Sequence, residues 1–147
     1  MRIYLASSLT NIDNVRQLRD VLTQHGHSIT YDWTGHGQVR GSQEQLRTIA
    51  LNEMTGVYDA QIVIALLPGR RGTHTEIGAA IAYHKPIILC ADDVSLFDTD
   101  SSETTMAYHH PSIWSKLIKP SHAEILQEIN KLEGSLWTNP GTHFEVG

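Results

Sequence analysis

The chain has 147 residues, a formal net charge of −5 and a single cysteine. This length is typical of one domain that buries a sizeable core and needs no disulfides or metals to stabilise it. The 11 basic residues are scattered along the chain, which argues against a protein that binds a polynucleotide backbone. A single cysteine cannot form an internal disulfide, and this fits a reducing compartment.

The sequence carries no signal-peptide pattern ahead of its first predicted strand. Its longest apolar run, residues 62–67, is far too short to cross a bilayer. We therefore expect a cytoplasmic protein with no membrane partner.

The first third of the chain predicts a strand, a helix and a second strand. Residues 2–6 are rich in β-forming side chains, and residues 11–25 have one apolar face at helical spacing. Gly26 is placed to end this helix. A second strand is predicted over residues 28–32, and the three glycines of residues 33–41 indicate a loop that includes an exposed Trp33.

A capping-box pattern at Ser42 and Gln45 opens the second predicted helix, which reaches about residue 58. The segment over residues 61–67 is continuously apolar after Gln61 and rich in β-branched residues, which indicates a strand covered on both faces. A loop then leads into a short, alanine-rich helix over residues 75–84. The side chains predicted to face the core from the second helix are Leu46, Ile49, Met54 and Val57.

The last third begins with another buried strand over residues 86–91, which contains Cys90 as a core residue. Residues 92–111 form a long polar loop, and a loop of that length in a compact domain is usually functional. Residues 113–118 predict a fifth strand. Ser121 then caps a final amphipathic helix.

This alternation of strands and helices is typical of a parallel sheet with helices on both faces. It predicts the α/β class: a flavodoxin-like, doubly wound five-stranded parallel sheet in the order 2-1-3-4-5. We expect a single domain over residues 1–134 and an irregular C-terminal tail over residues 135–147. Ligands of such sheets bind beyond the carboxyl ends of the strands where strand order reverses, here between the first and third strands.

Residues 69–78 are the strongest local signal, because a glycine-bearing loop leads from a buried strand into a helix whose first turn is predicted to carry Glu76. The free N–H groups and dipole of a helix start stabilise negative charge, so we expect Glu76 to stay ionised and to face the strand-end cleft. Such a carboxylate suits a nucleophile that cleaves a glycosidic bond. The alternative is that Glu76 only caps its own helix.

Three stretches together resemble the nucleoside 2-deoxyribosyltransferase superfamily, including its 2'-deoxynucleoside 5'-phosphate N-hydrolase-like members. The likeness covers about residues 2–91. It lies in Tyr4-Leu-Ala-Ser-Ser8, in a helical carboxylate seven residues ahead of Ala60-Gln-Ile-Val-Ile-Ala65, and in Gly72-Thr-His-Thr-Glu-Ile-Gly78 with the strand that follows it.

The resemblance implies an enzyme that cleaves the N-glycosidic bond of a nucleoside or nucleoside 5'-monophosphate. The sugar would pass to another base or to water, without a cofactor or metal, in a homodimer or larger homo-oligomer.

The catalytic roles are carried over from the resemblance position by position. Glu76 matches the nucleophile, and Tyr4 matches a tyrosine that supports it. Glu53 matches a second catalytic carboxylate, where the family usually has aspartate. Two carboxylates that share a cleft push their pKa values apart, so Glu53 is expected to be the protonated partner. The plainer interpretations are a surface glutamate for Glu53 and a core tyrosine for Tyr4.

Further residues are predicted to bind substrate because they lie at the carboxyl ends of the strands. Arg70 or Arg71 suits a 5'-phosphate, and Trp33 either stacks on a base or covers the core. The predicted substrate-binding residues are Ser7, Ser8, Trp33, Gly69, Arg70, Gly72 and His74. The candidates for contact with a neighbouring subunit's site are Ser101, Ser102, Thr104 and His109.

Two other classes of protein stay open as alternatives: a non-catalytic nucleotide-binding or sensing module, and a domain that binds a phosphorylated flavin. Adjacent His109 and His110 diverge along the chain, and no cysteine cluster or His-Glu-x-x-His helix accompanies them, so we expect no metal. The sequence also has no P-loop lysine motif and no full dinucleotide fingerprint, which argues against an NTPase or a dehydrogenase.

Overall fold

The computed structural model describes residues 1–36 and 40–138 and is built around a five-stranded sheet in the order β2-β1-β3-β4-β5. Every pairing between neighbouring strands is parallel. The predicted fold class and strand order are therefore confirmed. The strands are β1 (Arg2–Ser7), β2 (Ser28–Ile29), β3 (Ile62–Leu66), β4 (Ile87–Ala91) and β5 (Ile113–Ile118).

Four helices cover the sheet in two pairs, one pair on each face. α1 packs beside α4, and α2 packs beside α3. Helices on both faces explain why β4 is buried along its whole length and why β3 consists of apolar residues only. The helices are α1 (Ile12–Gln24), α2 (Gln43–Asp59), α3 (Arg71–Ala82) and α4 (His122–Thr138).

The second strand is shorter than predicted, because the chain leaves the sheet after Ile29. Asp32 starts a 3-10 turn over Trp33–Gly35 by accepting a hydrogen bond from the backbone N–H of Thr34 at 3.0 Å. Its other carboxylate oxygen is bonded to Arg19 at 2.8 Å. Residues 37–39 of the predicted loop lie outside the described residues.

The third helix begins at Arg71, four residues before its predicted start, and the difference matters for the site. The Thr73 hydroxyl accepts a hydrogen bond from the Arg70 backbone N–H at 3.2 Å, which helps to fix the first turn. Gly69 precedes this turn in close contact with Thr73, since a Cβ at Gly69 would lie 2.5 Å from the Thr73 side chain.

The capping box that opens α2 is present as predicted, but the first turns of this helix are not buried. Leu46, predicted to face the core, is 46% exposed. The reason is length: 17 helical residues span roughly 26 Å, whereas the five residues of β3 span roughly 17 Å. Since α2 runs back across the sheet from its carboxyl edge, its first turns project beyond that edge.

The end of the chain also differs from the prediction. α4 continues to Thr138, so the first residues of the predicted tail are helical, and residues 139–147 lie outside the described residues. Within the described part, no helix combines the length and apolar character needed to span a membrane. The long loop after β4 contains two 3-10 turns, Val94–Leu96 and Met106–His109.

Candidate active site

The centre of the candidate site is a hydrogen bond between the first strand and the third helix. The Tyr4 hydroxyl donates to Glu76 Oε1 at 2.9 Å, across 72 positions of the chain. Tyr4 is fully buried and Glu76 is only 4% exposed. The other carboxylate oxygen, Oε2, has no hydrogen-bond partner within the described residues. One oxygen is thus fixed by Tyr4, while the other is buried and leaves its hydrogen-bonding capacity unused.

The ionisation of Glu76 differs from the prediction. Because α3 begins at Arg71, its first turn carries no acidic residue, and Glu76 lies in the second turn. Burial raises the pKa of Glu76 to about 8, and the negative charge of Glu53 adds to this, while the Tyr4 hydrogen bond acts in the opposite direction. The expectation that Glu76 stays ionised was wrong, because desolvation outweighs the other effects on this carboxyl.

Glu53 belongs to the same electrostatic cluster. It is half-buried on α2, and its charge contributes to raising the pKa of both Glu76 and Tyr4. Burial raises the pKa of Glu53 itself above its usual range, and the nearby His36 partly offsets this. The structure therefore brings the predicted trio of Glu76, Glu53 and Tyr4 together.

His36 is a member of this cluster that sequence reasoning missed. It follows the 3-10 turn after β2, and its ring lies 6.0 Å from the Tyr31 ring, centroid to centroid. The available signal was its place in the loop after β2, since loops at the carboxyl ends of strands form ligand sites in such sheets.

Gly56 allows α2 to approach the sheet closely at this point. A Cβ at Gly56 would lie 2.8 Å from the Tyr31 Cβ and 3.0 Å from the Tyr4 ring. Glu53 precedes Gly56 by three positions, so both lie on the same face of the helix. The absence of a side chain at Gly56 is therefore what places Glu53 near Tyr4 and Glu76.

Ser7 and Ser8 are engaged in local contacts rather than grouped with Glu76. The Ser7 hydroxyl donates to the Leu66 carbonyl at 2.7 Å and accepts from the Asn11 amide at 3.1 Å. The Ser8 and Thr10 hydroxyls are hydrogen bonded at 2.6 Å. Side chains alternate along a strand, so Ser7 lies on the opposite face of the sheet from Tyr4.

Trp33 covers the core. It is 6% exposed, and its indole N–H donates to the Leu5 carbonyl at 2.7 Å. The sequence reading of an exposed aromatic was wrong, because the turn that follows β2 folds the ring inward. Of the two predicted roles, stacking on a base and covering the core, the second is the one the structure shows.

The N-cap and first turn of α3 present charged residues to solvent. Arg70, Arg71 and Gly72 are exposed, and neither arginine forms a salt bridge within the described residues. Gly69 is half-buried against Thr73. The two arginines are therefore open to an anionic ligand.

His74 connects α3 to the long loop after β4. Its Nδ1 lies 2.7 Å from the Arg70 carbonyl, and its Nε2 lies 2.7 Å from the Tyr108 hydroxyl. A carbonyl only accepts, so Nδ1 carries the proton and the Tyr108 hydroxyl donates to Nε2. Sequence reasoning did not single out Tyr108, which is buried and also packs edge-on against Phe97.

The residues predicted to contact a neighbouring subunit all lie in this loop. His109 Nε2 is 2.9 Å from the Thr104 hydroxyl, and its Nδ1 is 2.9 Å from Lys116 Nζ. Ser101 accepts a hydrogen bond from the Glu103 backbone N–H, and Ser102 is exposed. Among the described residues, no three histidine, cysteine or acidic side chains are grouped so as to hold a metal ion.

Comparison with known proteins places the chain in a family. The model of the family described as nucleoside 2-deoxyribosyltransferase matches residues 3–111. The chain therefore belongs to the nucleoside 2-deoxyribosyltransferase family, which confirms the resemblance drawn from the sequence. No curated protein sequence matches the chain.

Solved structures with this fold include enzymes that act on nucleosides and nucleotides. The CMP N-glycosidase BcmB of Clostridium botulinum is 20% identical, with a TM-score of 0.59 over 88% of this chain and 99% of that one. The 2-deoxyribosyltransferase of Bacillus psychrosaccharolyticus is 20% identical, with a TM-score of 0.61 over 85% and 90%. A conserved protein of Enterococcus faecalis V583 is 19% identical, with a TM-score of 0.64 over 90% and 98%.

The raised pKa of Glu76 makes stability depend on pH. Its folded-state pKa of about 8 lies above the ordinary 4.5, so its contribution to stability is present below pH 4.5 and is lost as pH rises through 8. Glu76→Gln should therefore be more stable than wild type above pH 8, by roughly 3–5 kcal/mol, and similar to it at pH 4.5. Urea unfolding between pH 4.5 and 9 measures this difference. The exposed Glu103→Gln serves as control, and a pH-independent difference for Glu76→Gln would contradict the raised pKa.

The close approach at Gly56 predicts opposite effects for two glycine-to-alanine changes in helices. Gly56→Ala should lower the free energy of unfolding by roughly 1–3 kcal/mol, because the new methyl overlaps Tyr31 and Tyr4. In α4, a Cβ at Gly134 meets nothing within 4 Å, so Gly134→Ala should stabilise by up to about 1 kcal/mol. Urea unfolding of both variants tests this. A stabilised Gly56→Ala would show that the contact of α2 with Tyr31 and Tyr4 leaves room for a methyl group.

Proposed function

We propose that this protein cleaves the N-glycosidic bond of a (deoxy)nucleoside or nucleoside 5'-monophosphate through a glycosyl ester on Glu76, and passes the sugar to another base or to water. The observation that carries this proposal is the buried Glu76 carboxyl, with Oε1 held by Tyr4 and Oε2 without a partner. Glu76 also occupies the position that the family resemblance assigns to the nucleophile.

In the first step, Glu76 Oε2 attacks the anomeric carbon while the bond from that carbon to the base nitrogen breaks. The bonding electrons leave with the base, which takes a proton from Glu53. The sugar acquires oxocarbenium character in the transition state, so an adjacent carboxylate lowers the barrier. Tyr4 orients Glu76 by holding the oxygen that does not attack. The raised pKa of Glu53 supports its role as the proton donor.

Glu76 must be ionised to attack, yet its pKa of about 8 keeps much of it protonated at neutral pH in the free protein. Two influences favour the anion: the hydrogen bond from Tyr4 and the positive charge that develops on the sugar. The reactive form on this proposal has Glu76 ionised and Glu53 protonated, so turnover passes through a maximum as pH changes. A desolvated carboxylate is also a stronger nucleophile than a hydrated one, since no water shell has to be removed.

In the second step, water or an acceptor base attacks the same carbon from the face that the first base left. The ester bond breaks, its electrons return to Glu76, and Glu53 takes up the proton of the attacking group. Each displacement inverts the anomeric centre, so two of them retain its configuration. Arg70 would pair with a 5'-phosphate; its support is that the side chain is exposed and forms no salt bridge within the described residues, and that guanidinium binds phosphate through two parallel hydrogen bonds.

A homodimer or higher homo-oligomer is part of this proposal. Its support is the apolar surface that the outer side of α2 leaves exposed: Leu46 at 46%, Leu51 at 60% and Tyr58 at 60%. A second copy would bury this surface, and the loop with Ser101, Ser102, Thr104 and His109 would then be available to a neighbouring site.

The proposal predicts base release from a panel of nucleosides and nucleoside 5'-monophosphates. Wild type should release free base from at least one member, and Glu76→Gln should release none, because its amide cannot attack. Glu124→Gln, a change at an exposed position on α4, should match wild type. Adding a second free base separates transfer from hydrolysis, and the anomeric configuration of the new nucleoside, read by NMR, reports retention. If wild type binds a panel member but releases nothing, the protein is a nucleotide-binding module instead.

The role of Glu53 predicts a dependence on the leaving group. Glu53→Gln should lose roughly 10²- to 10⁴-fold in turnover on ordinary nucleosides, because the departing base then lacks a proton donor. N7-methylated guanine leaves its nucleoside without being protonated. Glu53→Gln should therefore lose little turnover on that nucleoside, whereas Glu76→Gln should lose all activity. Single-turnover rates on the paired substrates give the comparison, and equal losses on both would contradict the proton-donor role.

A further inference from the structure

A concave surface opens at the carboxyl edge of the sheet, between α1 and α4. It is a cavity of about 300 Å³ that lies beyond the ends of β3, β4 and β5. This volume is at the lower end of the range of small-molecule sites, about 300–1,000 Å³. Its apolar floor is formed by Leu18, Leu66, Leu67, Cys90 and Ile125.

This cavity and Glu76 lie on opposite faces of the sheet. Tyr4 pairs with Val63, and both point toward α2 and α3. Leu66, three positions after Val63, points to the other face, as does its partner in β4, Cys90. A ligand that fills the cavity is therefore separated from the Glu76 carboxyl by the sheet itself and is not the substrate of that carboxyl.

The mouth of the cavity carries polar side chains that form no hydrogen bond within the described residues, although the charge of Lys119 interacts with the Asp93 carboxylate. Within the described residues, the side chains of Lys119, His122 and Asn14 form neither hydrogen bonds nor salt bridges. Asp92 lines the cavity and Asp93 interacts with Lys119, so an anionic ligand competes with these carboxylates for the lysine, while Asn14 and His122 add hydrogen-bonding groups. A few converging polar groups above an apolar floor are the usual composition of a small-molecule site.

The backbone fixes Lys119 at this mouth. Its φ of 44° is in the left-handed region, which a non-glycine residue rarely adopts, and its N–H donates to the Ala91 carbonyl at 2.8 Å. Two residues later Ser121 caps α4 by accepting from the Glu124 N–H. The backbone of Lys119 therefore has a fixed position between β5 and α4, and this restricts the region that its ammonium group can reach.

We propose that this cavity binds a small organic anion, with its phosphate or carboxylate group at Lys119 and His122 and its apolar body on the floor formed by Leu18, Leu66 and Ile125. The site goes beyond the proposed glycosidase chemistry, because it uses none of the residues assigned to that reaction. The cavity volume restricts the ligand to a single compact ring or a chain of similar size.

The test uses three probes that share one ring: phenyl phosphate, benzoate and uncharged benzyl alcohol. Titration into ¹⁵N-labelled protein should give saturable shifts at the start of α4 and at the ends of β3 and β4 for at least one anion, and at least tenfold weaker binding for the alcohol. The tighter of the two anions identifies the head group. Lys119→Gln should weaken its binding roughly tenfold, the effect expected from a single charge-assisted hydrogen bond. Lys131→Gln, at the far end of α4, should leave it unchanged.

Glu76→Gln distinguishes this site from the proposed active site, since it should abolish base release while binding the anion like wild type. The proposal is overturned if neither anion saturates, if Lys119→Gln binds as wild type does, or if the shifts fall on α2 and α3. Absence of base release in wild type would leave the anion site standing, so the two proposals fail independently.

Discussion

The hydrogen bond between Tyr4 and Glu76 is the contact on which the arrangement of the candidate site depends. It joins the central strand to the helix that covers it, and it lies where water has been excluded from both groups. An acid in that position is held in its neutral form by burial and drawn toward its charged form by the phenol. The site is therefore balanced between two protonation states near physiological pH, and a cationic transition state favours the charged one.

Bringing a second acid to this point depends on the geometry of α2. Its length carries the first turns past the carboxyl edge of the sheet, while Gly56 lets the remaining turns lie directly on Tyr4. Glu53 lies between these two regions, half-buried, and this explains why its pKa is raised without its being enclosed. The same overhang exposes Leu46, whereas Leu51 is exposed on the side of α2 that faces away from the sheet.

The strand order was predictable because buried parallel strands are continuously apolar and rich in β-branched residues, as in β3, and because the connections between them are right-handed. The start of α3 was not predictable, since it depends on the Thr73 hydroxyl, which accepts a hydrogen bond from the Arg70 N–H only once the preceding loop is folded. The protonation of Glu76 was also beyond local reasoning: the sequence marks its helix, but not the burial that a strand 72 residues away imposes. The contacts of Trp33 and Ser7 were likewise beyond local reasoning, because their hydrogen-bond partners are backbone carbonyls of neighbouring strands.

The short length of β2 has a consequence for how copies of this protein can associate. An edge strand of two residues offers few unpaired backbone groups, so it is a poor template for another chain. The opposite edge, β5, is longer, but it carries an exposed Lys116 and is flanked by Pro111 and Pro120. Sheet extension, the common route to fibrous aggregation, is thus discouraged on both sides, and self-association is directed to the helical surfaces.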